Sequence, residues 1–374
     1  MILFKKYGGF LVSLLAFAYL YTYGIVVNEL SELLIIFPIL FGIILAGIFR
    51  VAHFADHLAE IMGEPYGTLL LTISATLIEV TVMITALTHS EGNPTFIRDT
   101  ITATLFIVLG GMMGLSMVIG SLHDLDQNIN TNGASMYLGL LIPLALLTLV
   151  LPNFTTSTIG PTLAISQEVF IGIISLALYG IFLFSQTKRY RNYFDDPFPF
   201  GASAKDKPKI SQHPSPSHHH NKDVREILHS TFWLVTNLII VVLLIEKLAI
   251  LIQVGYAKMG FPSALNGTTV AILVLAPEWV ASLHAAQSNH LQRSINIALG
   301  SGLATLSLSV PVMLFWVAYH QYHIELGLHS REIVMLLASL WVAHVSLATG
   351  KSNIMQGAIL FILFLSSIFL IFNP

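Results

Sequence analysis

Eleven runs of about 18 or more mostly apolar residues constrain this 374-residue chain more than any other feature. They fall at roughly 8–27, 33–51, 66–88, 98–120, 134–152, 166–186, 229–252, 264–287, 296–318, 331–349 and 353–372. Each is long enough to cross a hydrocarbon core of about 30 Å as a helix. The runs are continuous rather than alternating, which excludes a β-barrel. Composition agrees: 55% of residues are hydrophobic and 10% charged, against about a quarter charged in a soluble domain. The expected fold is an all-α integral membrane protein of about eleven transmembrane helices. Lys5 and Lys6 precede the first run as they would a secretory signal, but the apolar stretch is longer than a signal's and is read as a span. The formal charge of −3, with no dense basic tract, points to no nucleic-acid partner. Without cysteine, disulfides, thiolate metal sites and thiol catalysis are excluded.

Lysine and arginine orient the spans. With the N-terminus inside, the inner side collects Lys5, Lys6, Arg50, Lys188, Arg189, Arg191, Lys205, Lys207, Lys209, Lys222, Arg225, Arg293 and Lys351. The outer side keeps Arg98, Lys258 and Arg331, and Lys247 lies within a span. The expectation is a multi-pass protein of the plasma membrane (the bacterial inner membrane), N-terminus cytoplasmic and C-terminus outside.

Residues 188–226 are polar and rich in Pro, Ser and His, the composition of a cytoplasmic linker that cannot pack a core. His218, His219 and His220 read as part of a solvated tract. The linker divides residues 31–187 from residues 227–374, and residues 1–30 form an accessory first span. The two halves echo one another. The first contains "DHLAEIMGEP" (56–65) and then Glu79; the second contains "EKLA" (246–249), "MGFP" (259–262) and then Glu278. Five spans is an odd number, so the halves thread in opposite directions, as inverted repeats around a midplane site do.

Glu79 and Glu278 lie within roughly 4 Å of the centres of their spans. A charge there costs at least about 2.5–3.5 kcal/mol, so such a residue faces a partner or a water-filled cavity. Two carboxylates suit Ca²⁺, a hard cation taking 6–8 oxygen ligands. Crowded into low dielectric they also resist double ionisation, so protons compete with the cation. Competition at one site with alternating access is antiport. Helical spacing puts Thr72, Thr76 and Met83 on the face of Glu79 and Ser282 on that of Glu278. Pro277 frees the carbonyl of Leu273, a candidate ligand. The following spans carry Thr100, Thr102 and Thr104, and Thr305, Ser307 and Ser309, hydroxyls that serve as ligands or as packing glue. Auxiliary ligands are expected at Thr76, Thr104, Leu273, Ser282 and Thr305. Asp56, just past span two, and Glu246, near the outer end of span seven, are candidate gates or cation antennae.

Two other readings compete. In "HFADHLAE", His53, Asp56, His57 and Glu60 share a helix face at a spacing a metallohydrolase could use, although no HExxH occurs and an amphipathic interfacial helix explains them as well. A passive channel is the other, against which paired midplane acids on inverted repeats favour a carrier.

The stretches "GEPYGTLLLTISATLIEV", "IRDT", "IVLGG", "LAPEWVASLHAAQSNHLQRSINIALGSGLATLSLSVPV" and "GKSNIMQG" together resemble the cation/Ca²⁺ exchanger superfamily, in particular its bacterial ChaA-type calcium (sodium, potassium)/proton antiporters. The likeness runs from about residue 50 to the end, apart from the linker. It implies two inverted five-span halves after one accessory span, exchange of Ca²⁺, Na⁺ or K⁺ for H⁺ across the lipid bilayer, and no cofactor. It also implies that Glu79 and Glu278 bind the cation. The Gly-Asn-x-x-Glu repeat of calcium/proton exchangers is incomplete here, with Thr76 and Leu275 at the Asn positions and Thr104 and Ala304 where the next helix carries Asn or Gln.

Overall fold

In lipid, a backbone with no water to bond must satisfy itself within a helix, and the apolar runs do so. A computed structural model of the chain describes residues 2–23, 30–62, 66–89, 93–122, 127–190, 193–194 and 224–373. The helices are α1 (Ile2–Tyr23), α2 (Leu30–Met62), α3 (Tyr66–His89), α4 (Phe96–Phe106), α5 (Leu115–Ser121), α6 (Thr131–Ala145), α7 (Ile165–Phe184), α8 (Val224–Met259), α9 (Ala264–Gln287), α10 (Leu291–Ala304), α11 (Val310–His320), α12 (Ser330–Ala348) and α13 (Ile354–Phe372). π-helical turns join α4 to α5 over Ile107–Gly114 and α10 to α11 over Thr305–Ser309. Phe96–Ser121 and Leu291–His320 therefore each run as one span. Among the described residues nine helical segments are long and apolar enough to cross a membrane, and shorter apolar stretches lie at Gly9–Thr22 in α1 and Thr72–Thr85 in α3.

Two helices outrun the expected spans. α2 has 33 residues and α8 has 36, about 50 Å each at 1.5 Å per residue. Asp56 thus lies inside α2 rather than past it, and Glu246 well before the end of α8. An apolar window stops at the first charges, whereas backbone hydrogen bonding continues past them. The side chains of Asp56 and Glu246 lie outside the described residues, as do residues 195–223 with His218, His219 and His220.

α2 packs along α8, and α1 lies against both. Arg50 of α2 fastens this trio, donating from Nη2 to Ser13 Oγ of α1 (2.6 Å) and from Nε to Asn237 Oδ1 of α8 (3.2 Å). Ile44, Leu58, Leu244 and Leu248 form its buried seam. A second cluster, with Leu109, Met112, Leu303 and Leu306 at 0% exposure, surrounds the π turns. The halves interlock reciprocally: the π-bearing span of each packs on the last span of the other, Phe96–Ser121 on α13 and Leu291–His320 on α7.

On the linker side, β1 (Gln127–Asn128) pairs antiparallel with β2 (Lys351–Ser352). The motif GKSNIMQG makes this junction. Gly350 has φ +71°, a left-handed turn that glycine adopts without strain. Asn353 caps α13: its Oδ1 accepts from Gln356 N (3.0 Å), and Gln356 Oε1 accepts from Asn353 N (3.1 Å). One turn on, Gly357 lets α13 meet the π span, where an added Cβ would sit 2.7 Å from Gly114 O.

Gly357→Ala should therefore overpack this crossing at a cost of about 1–3 kcal/mol, lowering the thermal unfolding midpoint of the detergent-purified protein by several degrees. Gly139→Ala in α6, where a Cβ meets nothing within 4 Å, should hold or raise that midpoint, since alanine is about 1 kcal/mol the better helix former.

Candidate functional site

α3 and α9 carry their carboxylates to one place. Glu79 of α3 and Glu278 of α9 both line a cavity of about 420 Å³, walled also by α6, α7 and α10. Glu79 is 7% exposed, and its partners come from the other half of the chain. Thr305 Oγ1 donates to Glu79 Oε1 (3.0 Å) and lies 3.1 Å from Oε2. Ser309 Oγ donates to Oε2. Both hydroxyls belong to the π turn Thr305–Ser309, and a turn of this kind widens a helix locally and is frequent at functional sites. Glu278 is partly buried and follows Pro277, whose missing N–H leaves the Leu273 carbonyl without its partner in the helix.

The remaining expected ligands divide. Thr76 and Thr305 line the cavity with the two glutamates, as does Thr72. Thr104 is buried and does not line it, and the side chain of Leu273 is buried among its neighbours. Ser282 sits in a serine cluster between helices, 2.8 Å from Ser294 Oγ and 3.1 Å from Ser116 Oγ. Thr100, Thr102 and Ser307 turn back onto their own helices, donating to the carbonyls of Phe96, Arg98 and Leu303. Of these, only Ser282 ties helices together, and the other three satisfy themselves within their own helices.

Sequence reasoning passed over the cavity's far end. The lining continues to Gln186 and to Arg293 and Asn296, at the linker-side ends of α7 and α10. Gln186 Nε2 donates to Tyr137 Oη (3.1 Å). Asn296 Nδ2 donates to the carbonyl of Phe194 (2.7 Å), and Asn296 Oδ1 accepts from Gln292 Nε2 (2.9 Å). Phe194, at the start of the linker, packs edge-on against Tyr137 and Phe182, with centroids 5.5 and 6.0 Å away. The amides Gln292 and Asn296, within the first two turns of α10, were the available signal. Ser309 was legible as a hydroxyl, and its π turn was not.

A larger cavity, about 500 Å³, lies toward the opposite face and contains neither glutamate. Its polar end holds the buried pair Arg98 and Asp99 (3.0 Å), with Arg98 also donating to the Gly327 carbonyl (3.3 Å). Backbone bonds from Glu325 to Pro94, from Leu326 and Gly327 to Pro161 and from Leu328 to Leu149 cross that face. The cavity that holds the glutamates is thus the one whose lining extends to the linker-side ends of α7 and α10.

The metal-site reading of α2 finds no support in this geometry. His53 is exposed, His57 Nε2 pairs with Glu226 Oε1 (3.4 Å), and Asp56 and Glu60 lie outside the described side chains. Among the described residues no three His, Asp or Glu side chains group as metal ligands.

A multi-span helical bundle whose two π-bearing spans pack crosswise, with two carboxylates lining one cavity, is the arrangement found in membrane transporters. Comparison with known proteins gives its family. A model of the sodium/calcium exchanger protein family matches residues 32–188 and 229–373, and the chain belongs to that family. The protein y4hA of Sinorhizobium fredii is 37% identical over 85% of this chain and 83% of its own. The sodium-potassium/proton antiporter ChaA of Escherichia coli is 33% identical over 88% of this chain and 86% of its own. The solved structure of the H⁺/Ca²⁺ exchanger CAX superposes with a TM-score of 0.68, covering 98% of this chain and 88% of that one at 14% identity, a likeness of fold.

If Thr305 and Ser309 hold the Glu79 carboxylate, their effects are coupled to it. Ser309→Ala should cost about 1.5–3 kcal/mol of stability, the range for a hydrogen bond to a charged group. In a double-mutant cycle with Glu79→Leu, which offers no acceptor, most of that loss should vanish; additive losses would mean that Ser309 does not act through Glu79.

Proposed function

We propose that this protein is a cation/proton antiporter of the bacterial inner membrane that exports Ca²⁺ in exchange for H⁺, with Glu79 and Glu278 as the alternating cation and proton site. The observation that carries the reading is the meeting of these two carboxylates, from opposite halves, in one cavity lined by Thr76 and Thr305. In this reading the N-terminus is cytoplasmic. Residues 1–30 serve as an accessory span, 31–187 and 227–374 as the inverted halves, and 188–226 as the cytoplasmic linker. The cavity then faces the cytoplasm.

The exchange follows from charge. With both carboxylates ionised, two negative charges in a low-dielectric cavity are untenable without a counter-charge. A divalent cation supplies it, and so do protons. Each neutral occupancy allows the halves to rock and open to the other face, and the empty charged site resists that movement. A leak is thereby avoided and the two fluxes are coupled.

A monovalent substrate is the second reading, favoured by Leu275. It lines the cavity at a position where the family resemblance expects an amide oxygen, so this site offers fewer of the 6–8 ligands Ca²⁺ takes. The relative ChaA of E. coli is a sodium-potassium/proton antiporter. Asp56 and Glu246, on the long helices, remain proposed as gate or antenna acids.

In everted membrane vesicles holding a pH gradient, added CaCl₂ should dissipate the gradient with the wild type, and Glu79→Gln or Glu278→Gln should reduce that rate by at least about a hundredfold, the effect of about 2.7 kcal/mol. Dissipation by NaCl or KCl alone would leave the mechanism and replace the substrate. Full activity in both variants would refute the site.

A further inference from the structure

The cavity that holds two carboxylates also holds a cation. Among the described residues lining it, Arg293 is the one with a fixed positive charge. It lies in the first turn of α10 and is exposed. No hydrogen bond or ion pair commits its guanidinium among the described residues, in contrast to Arg98, which is buried and paired with Asp99. About 18 Å of helical rise separates its Cα from that of Thr305, which holds Glu79. Arginine remains charged throughout the physiological range, so this charge is permanent.

We infer that Arg293 is a specificity-determining residue: a tethered positive charge at the linker-side mouth that lowers the cavity's preference for divalent over monovalent cations. The inference rests on the cation/proton reading of the cavity and deepens it by naming what sets the substrate class.

The argument is electrostatic. A fixed charge imposes a potential on the site, and an ion of valence z feels z times that potential. The binding penalty for Ca²⁺ is therefore twice that for Na⁺ or K⁺ in free energy, and the square of it in affinity. At roughly 18 Å and an effective dielectric of about 30, between those of protein and water, the penalty is about threefold for a monovalent ion and about tenfold for a divalent one. Among the described lining residues, counting Arg293 against the two ionised glutamates leaves one net negative charge, which a single monovalent cation balances.

The test compares wild type, Arg293→Gln and Arg293→Lys. Gradient dissipation in everted vesicles, where the linker side faces the bath, gives apparent affinities for CaCl₂ and NaCl. Ion-dependent thermal stabilisation of the purified protein gives the same affinities without transport. The expected result for Arg293→Gln is a gain of about tenfold for Ca²⁺ and about threefold for Na⁺, with little change in maximal rate. Arg293→Lys, which keeps the charge, should match the wild type. Choline chloride near 1 M, where the screening length is about 3 Å, should bring wild type and Arg293→Gln together. If both affinities shift by the same factor, or neither shifts while the ion-free unfolding midpoint is unchanged, the inference is overturned. If no vesicle exchanges ions but stabilisation keeps the two-to-one ratio of logarithms, the antiport reading falls and the role of Arg293 stands. Loss of both signals in the wild type overturns both.

Discussion

The contact between Glu79 and the π turn of the opposite half fixes more of this molecule than any other. A carboxylate near the middle of a membrane requires donors, and Thr305 and Ser309 supply them from α10 and its continuation. That requirement sets the register of α3 against Leu291–His320. The same span also lies on α7. One polar demand in an apolar medium thus links helices far apart in the chain.

Around this contact the protein is built in two parts of different character. α1, α2 and α8 form a long, apolar-seamed frame fastened by Arg50. The π-bearing spans and their serine contacts form a tighter, hydroxyl-rich interior. Small hydroxyls allow close approach and weak, exchangeable hydrogen bonds. Large aliphatic side chains interdigitate and resist sliding. The distribution of side-chain types therefore separates a scaffold from the spans that bear the candidate site.

Much of this was readable from residue order. The apolar runs located the helical rods, and the run 66–88 matches Tyr66–His89 within a residue, because lipid enforces helix formation on any continuous apolar segment. The two interrupting glutamates stood out by the cost of their position. The ends of α2 and α8 were not readable, since polar helix continues where the apolar signal ceases. Nor was the choice among hydroxyls. Thr305 and Ser309 reach Glu79 while Thr104 and Ser307 do not, a matter of helical phase that a π turn shifts by a fraction of a residue per turn. Phe194 was unreadable for another reason: within a polar linker, nothing in composition marks this aromatic as one that docks on Tyr137 and Phe182.

That docking has a mechanical side. The segment joining the two halves is anchored by its own backbone, through the Phe194 carbonyl on Asn296, to a helix that lines the cavity. The chain just past α7 and the wall of the cavity therefore share a polar fastening, and displacing Phe194 would leave the Asn296 amide at that wall without its carbonyl acceptor.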